Sequence, residues 1–248
     1  AGPVDVVFPV LHGPWGEDGP AQDLLAARGL PFVGCDAAAA RRCMDKQLAK
    51  QLAAEAGVAV IEGGVVRPGD PPPVEPPAVV KPVDDGSSVD LWLAEDAASL
   101  RAAMEAVLAR HGRALVERWV RGREITVGLL EGRPLPVVEI VPASGLYDYE
   151  AKYERTDTRY LVGPPDLPRE VVAAAEDAAG RIWSAVGARD LARVDFIVED
   201  GVPRMLEVNT MPGFTARSLL PRAALAAGYD LPRLASRLVD LAASRGEP

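Results

Sequence analysis

The sequence predicts a mixed fold, α/β at its start and α+β over the rest, on three observations. Strand-like apolar runs alternate with amphipathic stretches of helical period, a Pro-rich stretch over residues 67–77 divides the chain, and an Asp200-Gly201 turn joins two late strands. Of 248 residues, 48% are hydrophobic and 25% charged, the balance of a globular chain long enough for one large domain or two lobes, and two lobes are expected. The formal net charge of -9 excludes broad, sequence-independent nucleic-acid binding, which needs Lys and Arg to displace phosphate counterions, but allows a local nucleotide pocket. Cys35 and Cys43 lack metal-ligand spacing, so buried reduced thiols are expected rather than a disulfide or a zinc site. No apolar run reaches the ~18–20 residues of a membrane span and no signal-peptide pattern opens the chain, which points to a cytoplasmic protein without a membrane partner.

In order along the chain, residues 4–10 read as a buried strand, followed by a Gly-rich loop over 11–20, a short helix over 22–28 and a short strand at Phe32-Val33. Ala1-Gly2-Pro3 lacks Met and runs at once into that strand, which predicts a missing layer upstream. Asp45 is placed to cap a helix through about residue 56, where Leu48 and Leu52 recur at helical spacing. Each Pro of 67–77 removes a backbone donor, so that stretch is a surface loop. Beyond it come a strand ending at Lys81-Pro82, a polar loop, a helix over 94–110, and strands over 114–118, 125–130 and 137–141. Pro168 suits the first turn of a long helix whose apolar face is Val171, Ala175, Ala179, Ile182 and Val186. Strands over 194–198 and 204–208 flank the Asp200-Gly201 turn, and helices from about Ser218 and Leu231 close the chain.

The hairpin carries the chemistry. Glu207 and Asn209 lie two apart in a strand and share one face, with Asp195 on the partner strand. An odd-length Asp200-Gly201-Val202 loop sets Asp195 opposite Glu207 on that face, whereas a two-residue Asp200-Gly201 turn points them apart. Two carboxylates and an amide oxygen on one face suit Mg²⁺, which takes oxygen ligands and keeps positions for water and phosphate. For the triplet alone, a solvated polar sheet face competes with that reading.

Asn209 runs directly into Thr210, and the stretch Leu206-Glu-Val-Asn-Thr-Met-Pro-Gly-Phe-Thr215 resembles the signature of the D-alanine:D-alanine ligases of the ATP-grasp superfamily. Five further segments match in the family's order: Leu11-His-Gly-Pro-Trp-Gly-Glu-Asp-Gly19, Met44-Asp-Lys46, Val80-Lys-Pro82 with Gly86-Ser-Ser-Val89, Tyr147-Asp-Tyr-Glu-Ala-Lys-Tyr153 and Ala192-Arg-Val-Asp-Phe196. The resemblance implies an ATP-grasp fold in which two α+β lobes sandwich ATP, a central lobe over 44–120 and a C-terminal catalytic lobe over 121–248. Residues 1–43 would be the remnant of an N-terminal α/β domain. It implies ATP-dependent joining of two D-alanines through an acyl phosphate, for peptidoglycan precursor synthesis, and a homodimer formed through the N-terminal lobe.

The family also implies residue roles. Asp195, Glu207 and Asn209 hold two Mg²⁺ ions, with Mn²⁺ as a substitute, on the ATP phosphates. Lys46 and Lys81 contact the nucleotide phosphates, and Ser87 and Ser88 of the Gly86 loop close over the triphosphate. Glu117, Trp119 and Glu124 match the interlobe and ribose-contacting region, and Leu206 lines the adenine slot. Lys152 meets the β- or γ-phosphate, while Tyr153 bonds to Ser87 and favours an amine as second nucleophile. Arg193 and the Gly213 N–H are donors to the tetrahedral oxyanion. Ser218 and Leu219 recognise the carboxylate of the second D-alanine. His12, a catalytic candidate, and Glu17, a substrate contact, lie in the loop bordering the first substrate. Two departures stand out. Asp90 occupies a position where the family has Gly, adding a charge and a Cβ near a phosphate-binding turn. The family's opening segment, whose Glu binds the amine of the first D-alanine, has no counterpart here. They leave open a nucleotide-binding protein of the same fold with impaired catalysis, and a ligase for another D-amino-acid or D-hydroxy-acid pair.

Overall fold

The computed structural model describes residues 4–86, 89–142 and 157–245. The expectations for Ser87, Ser88, Lys152 and Tyr153 lie outside the described residues. Two antiparallel sheets organise the chain. The first has the order β1-β4-β2-β3, from β1 (Gly63–Val66), β2 (Ala78–Pro82), β3 (Trp92–Ala94) and β4 (Ala114–Arg118). Helix α4 (Ala97–His111) covers one face, closing a core of Val66, Ala78, Val80, Leu100, Met104, Val107 and Val116. Asp96 caps α4 by accepting from the Ala98 and Ser99 N–H groups, which is why the helix starts three residues after the 94 that periodicity suggests. Ala94 itself ends β3.

The second sheet runs β10-β9-β5-β7-β8, from β5 (Arg123–Leu130), β7 (Val138–Val141), β8 (Arg159–Val162), β9 (Leu191–Glu199) and β10 (Val202–Asn209), with the short β6 (Arg133–Pro134) beside β5. Strand alternation sorts its side chains. Ile125, Val127, Leu129, Val194, Phe196 and Val198 point into a core shared with α5 (Arg169–Val186), whose Val171, Ala175, Ala179, Ile182 and Val186 are all buried. On the opposite face, Glu124 and Thr126 are polar. Farther along β5, Gly128 leaves room for Leu135 and Leu220, where α6 (Leu219–Ala226) and α7 (Leu231–Ser244) close another core.

The start of the chain departs from expectation. Residues 4–10 form no strand beyond a single parallel bridge, Val7 to Phe32, and Val4 and Val10 are about half exposed, at 53% and 50%. The Val7 N–H donates to Pro31 O and the Val33 N–H to Val7 O, at 2.9 Å each, so only one rung of a ladder exists to hold the run. Helix α1 (Pro20–Ala27) follows, then α2 (Ala37–Met44), capped by Asp36, and α3 (Lys46–Glu55), capped by Asp45 accepting from the Leu48 N–H. On α3, Lys46, Ala49, Lys50 and Ala53 are buried and Leu52 packs partly buried against the core, while Leu48 is 38% exposed. Ala49 and Ala53 join the core beneath the second sheet, so α3 packs on β10 and α5 rather than on the first sheet.

Contacts between the sheets fix the cleft they enclose. The Met205 N–H of edge strand β10 donates at 2.9 Å to Ala59 O, on the segment that leads into β1. The Arg118 guanidinium grips both oxygens of Glu199 at 2.7 and 2.8 Å, and Arg204 adds a bond at 2.7 Å. The hydrogen bond from Arg118, with the charges of Arg118 and Arg204, holds the Glu199 carboxyl down at about 2 from the usual 4.5. A depressed folded value stabilises the fold above the unfolded value and loses that contribution as pH falls from about 4.5 towards about 2. Glu199→Gln should therefore unfold less steeply with acid across that window than the parent, read by urea titrations at pH 5 and pH 3. Close strand approach makes a second expectation. A Cβ at Gly63 would sit 2.3 Å from Val116 O, whereas one at Gly64 meets nothing nearer than 3.6 Å. Gly63→Ala should cost about 1–3 kcal/mol in chemical denaturation and Gly64→Ala close to nothing.

Candidate active site

The β9–β10 hairpin decides the site. Asp200 and Gly201, at φ 50 and 79, form a two-residue turn between Glu199 and Val202. A regular ladder from that turn would put Asp195 and Glu207 on opposite faces. It is not regular: Met205 pairs with Phe196 and Glu207 with Asp195, leaving Leu206 as the extra residue of a β-bulge. Neither turn geometry weighed from sequence is right as stated, because the bulge rather than the loop length brings Asp195 opposite Glu207. Below the bulge Asn209 pairs with Arg193, so Asp195, Glu207, Asn209 and Arg193 share one face.

Asp195 is 5% exposed and well supplied with donors. Arg193 donates through Nε to Oδ1 and Nη2 to Oδ2, both at 2.8 Å, and Thr126 Oγ1 donates to Oδ1 at 2.6 Å. Two carboxylate oxygens offer about four lone pairs, of which these bonds use three, so Asp195 retains capacity for one ligand bond. Arg193 is thereby held flat along the face by two parallel bonds. Asn209 Oδ1 accepts from the Met211 N–H at 2.9 Å, which orients its amide oxygen. No group of three His, Cys, Asp or Glu side chains gathers around a point among the described residues. Two carboxylates and one amide are the donor count that suits Mg²⁺ when phosphate and water supply the remaining ligands.

The opposite wall is cationic. Lys81 on β2 meets Glu117 Oε2 at 2.8 Å, and Lys50 meets Oε1 at 2.7 Å, all three side chains being largely buried. Burial opposes the charge of Glu117, but the two ammoniums outweigh it and hold the carboxyl below its ordinary value. Burial likewise opposes the charge of Lys81, and Glu117 reverses it, raising Lys81. Lys46, first residue of α3, reaches Asp85 O at 2.5 Å.

Two cavities meet here. A narrow slot of about 130 Å³ is lined by Lys46, Lys81, Glu117, Trp119, Glu124, Asp195, Leu206 and Glu207, with Ile61, Val79 and Ile197 supplying apolar walls. A broader cavity of about 840 Å³ is lined by His12, Glu17, Lys46, Arg193, Glu207, Asn209, Gly213, Ser218 and Leu219. Lys46, Asp85, Gly86 and Glu207 border both, so the two form one continuous cleft. Every described residue singled out from the sequence as a site residue therefore lines this cleft. Burial holds the Glu17 carboxyl above its ordinary value, against the Gly13 N–H and His12, which pull it down; His12 Nδ1 lies 3.8 Å from it. Ser218, at the N-cap of α6, makes no side-chain cap bond; its hydroxyl accepts from the Thr215 N–H at 3.2 Å and lies under Gly213. Asp90 turns its carboxylate away from the cleft. It adopts φ 53 and meets Arg110 at 2.5 Å and His111 at 2.8 Å at the end of α4.

Sequence reasoning missed Thr126, Lys50, Arg217 and Arg222. Thr126 lies two residues after Glu124, so the same alternation that selects Glu124 would have found it. Lys50 is one turn after Lys46, a spacing that on an uncharted helix reads as solvated surface. Arg217 and Arg222 line the broad cavity, Arg222 stacked over Tyr160 at 5.1 Å, and nothing local marks them.

A cleft between two antiparallel sheets, lysines on one wall and carboxylates on the other, defines a nucleotide-dependent enzyme of the ATP-grasp fold. Family models described as the D-ala D-ala ligase N-terminus and C-terminus match residues 1–35 and 73–240. The D-alanine--D-alanine ligase of Anaeromyxobacter sp. (strain Fw109-5) is 42% identical over 97% of this chain and 80% of its own length. That of Syntrophotalea carbinolica is 39% identical over 95% and 78%. Among solved structures, the Bacillus anthracis D-alanine--D-alanine ligase complexed with ATP superposes with a TM-score of 0.84 at 29% identity, covering 98% of this chain and 80% of that one. The VanG D-Ala:D-Ser ligase from Enterococcus faecalis gives 0.85 at 31% identity, covering 96% and 73%. The chain belongs to the D-alanine:D-alanine ligase family. Within it, the bond from Thr126 to Asp195 is a charge-assisted one inside the sheet. Thr126→Val keeps the shape and removes that donor, and should lower stability by about 1.5–3 kcal/mol in urea unfolding.

Proposed function

We propose that this chain joins two D-alanines into D-alanyl-D-alanine, driven by cleavage of ATP to ADP and phosphate. The single observation that carries the reading is the continuous cleft, whose slot ends at the Asp195–Glu207 face and opens there into the cavity lined by Arg193, Gly213 and Ser218. A slot with apolar walls from Ile61, Val79, Leu206 and Ile197 suits adenine, and Glu124 and the Trp119 segment border the sugar. Lys46 and Lys81 then meet the phosphates. Asp195, Glu207 and Asn209 would hold Mg²⁺, which when bound neutralises phosphate charge as phosphoryl transfer requires.

The carboxylate of the first D-alanine, bordered by Glu17 and His12, attacks the γ-phosphorus and becomes an acyl phosphate, releasing ADP. The amine of the second D-alanine attacks that carbonyl carbon. Arg193, oriented by its two bonds to Asp195, and the Gly213 N–H stabilise the tetrahedral oxyanion before phosphate leaves. Ser218 and Leu219, at the start of α6, bind the second carboxylate where helix N–H groups favour an anion. This reading takes residues 44–120 and 121–248 as the two ATP-binding lobes, assigns the enzyme to the cytoplasm and to peptidoglycan precursor synthesis, and makes the active species a homodimer. The likeness to a D-Ala:D-Ser ligase supports D-serine as a rival second substrate.

The test is phosphate release from MgATP with no amino acid, with D-alanine, and with D-alanine plus D-serine. D-Alanine-dependent release is expected, with the dipeptide identified by mass. ATP binding without D-alanine-dependent release would instead mark a catalytically impaired nucleotide-binding protein. Glu207→Gln should reduce turnover by at least about 10²-fold, the loss of a few kcal/mol of phosphate neutralisation.

A further inference from the structure

Lys50 takes no part in the reaction described above, yet it is among the most deeply buried charges in the protein. It is 5% exposed and borders neither the slot nor the broad cavity. A buried ammonium is costly unless every donor is used and a counter-charge stands against it. Its Nζ donates to the Met205 carbonyl at 2.9 Å and meets Glu117 Oε1 at 2.7 Å. Those two partners belong to the two halves of the phosphate end of the cleft. Met205 immediately precedes the bulge that turns Glu207 onto the Asp195 face, and Glu117 carries Lys81 on its other oxygen at 2.8 Å.

The register explains the arrangement. Glu117 on β4 faces Val79 on β2, and Lys81 is two residues further along β2, so Glu117 and Lys81 are diagonal neighbours on the cleft face. Left alone, a 1:1 buried pair would let both carboxylate oxygens draw the Lys81 ammonium, cancelling its charge and holding it against β4. Lys50 occupies Oε1 and confines Lys81 to Oε2. It also gives the cluster two positive charges against one negative, a surplus that a phosphate can neutralise. Burial lowers Lys50, and the Glu117 carboxylate opposes that shift.

We infer that Lys50 is a positioning residue for the nucleotide phosphates, acting through Glu117 to keep Lys81 charged and aimed into the cleft while its bond to Met205 holds the bulge in place. This rests on the proposed phosphate contact of Lys81. The test is equilibrium binding of MgATP and of adenosine, by calorimetry on the full chain, with thermal melting recorded for each variant. Lys50→Met should weaken ATP about tenfold, an ordinary coupling for contacting charges, and leave adenosine affinity unchanged. Lys50→Met with Glu117→Gln should regain most of that loss, because a neutral amide no longer competes for Lys81, and Lys50→Arg should bind ATP near the parental level. Should Lys50→Met fail to fold, Lys50→Gln, which keeps a donor for the Met205 carbonyl but loses the charge, replaces it and should show the same loss. Unchanged ATP affinity overturns the inference, as does an equal loss of ATP and adenosine that Glu117→Gln does not relieve, which marks a purely structural lysine. Lys81→Met separates the two levels. If it costs ATP affinity while the Lys50 variants do not, only the role of Lys50 falls; if it costs nothing, the phosphate role of Lys81 falls and this inference with it.

Discussion

One extra residue in one strand governs this site. Side chains in a strand alternate with a period of two, so a two-residue turn closing a regular ladder assigns each position of β9 and β10 to a face with no freedom left. Asp195 and Glu207 would then be separated by the thickness of the sheet. The bulge at Leu206 breaks the parity between Met205 and Glu207. Met205 and Val208 remain in the apolar core, while Glu207 and Asn209 emerge beside Asp195 and Arg193. Next to the bulge, the outward backbone groups of Met205 on this edge strand find partners outside the sheet: the N–H in Ala59 and the carbonyl in Lys50. The edge of the sheet, the hazard of an open strand, is covered by the same contacts.

From that constraint the charge distribution of the cleft follows. The carboxylate face of the second sheet stands opposite the lysines of the first sheet and of α3, each charge held by a named partner: Asp195 by Arg193 and Thr126, Glu117 by Lys50 and Lys81, Lys46 by the Asp85 carbonyl. Buried charges in such numbers are a poor source of stability, since desolvation offsets most of the attraction between them. Their value is geometric. Side chains locked by second partners keep donors and acceptors aimed at a ligand that itself carries several charges. The protein's −9 net charge therefore coexists with a basic wall, because the wall is local and internal.

Asp90 illustrates how a substitution can be accommodated by its surroundings. In the chain alone it reads as a negative charge inserted into a phosphate turn. In the fold it adopts a left-handed backbone, and its carboxylate reaches the C-terminal end of α4, where Arg110 and His111 receive it. Asp is among the few residues other than Gly that tolerate this conformation. The charge that seemed aimed at the nucleotide is spoken for by a helix terminus.

By itself the sequence determined the motif residues, the caps and the order of elements. Asp45 starts a helix through a bond to a backbone donor three residues on, and the apolar face of α5 follows from a 3.6-residue period, both local effects that a linear reading contains. The family signature likewise selected residues that converge on one cleft. Tertiary structure alone decided the rest. The two-residue turn was legible, but the bulge that overrides its parity was not, because Met205, Leu206 and Val208 are all apolar and the break in alternation is hidden among them. The burial of Lys50 on the inward side of α3 was not legible, because it depends on Glu117 arriving from a strand sixty-odd residues away to balance it. Residues 4–10 have the composition of a strand, yet a strand exists only through hydrogen bonds to neighbours, and one bridge to Phe32 is all they make. Each of these depends on partners distant in the chain, and that is information a local pattern does not hold.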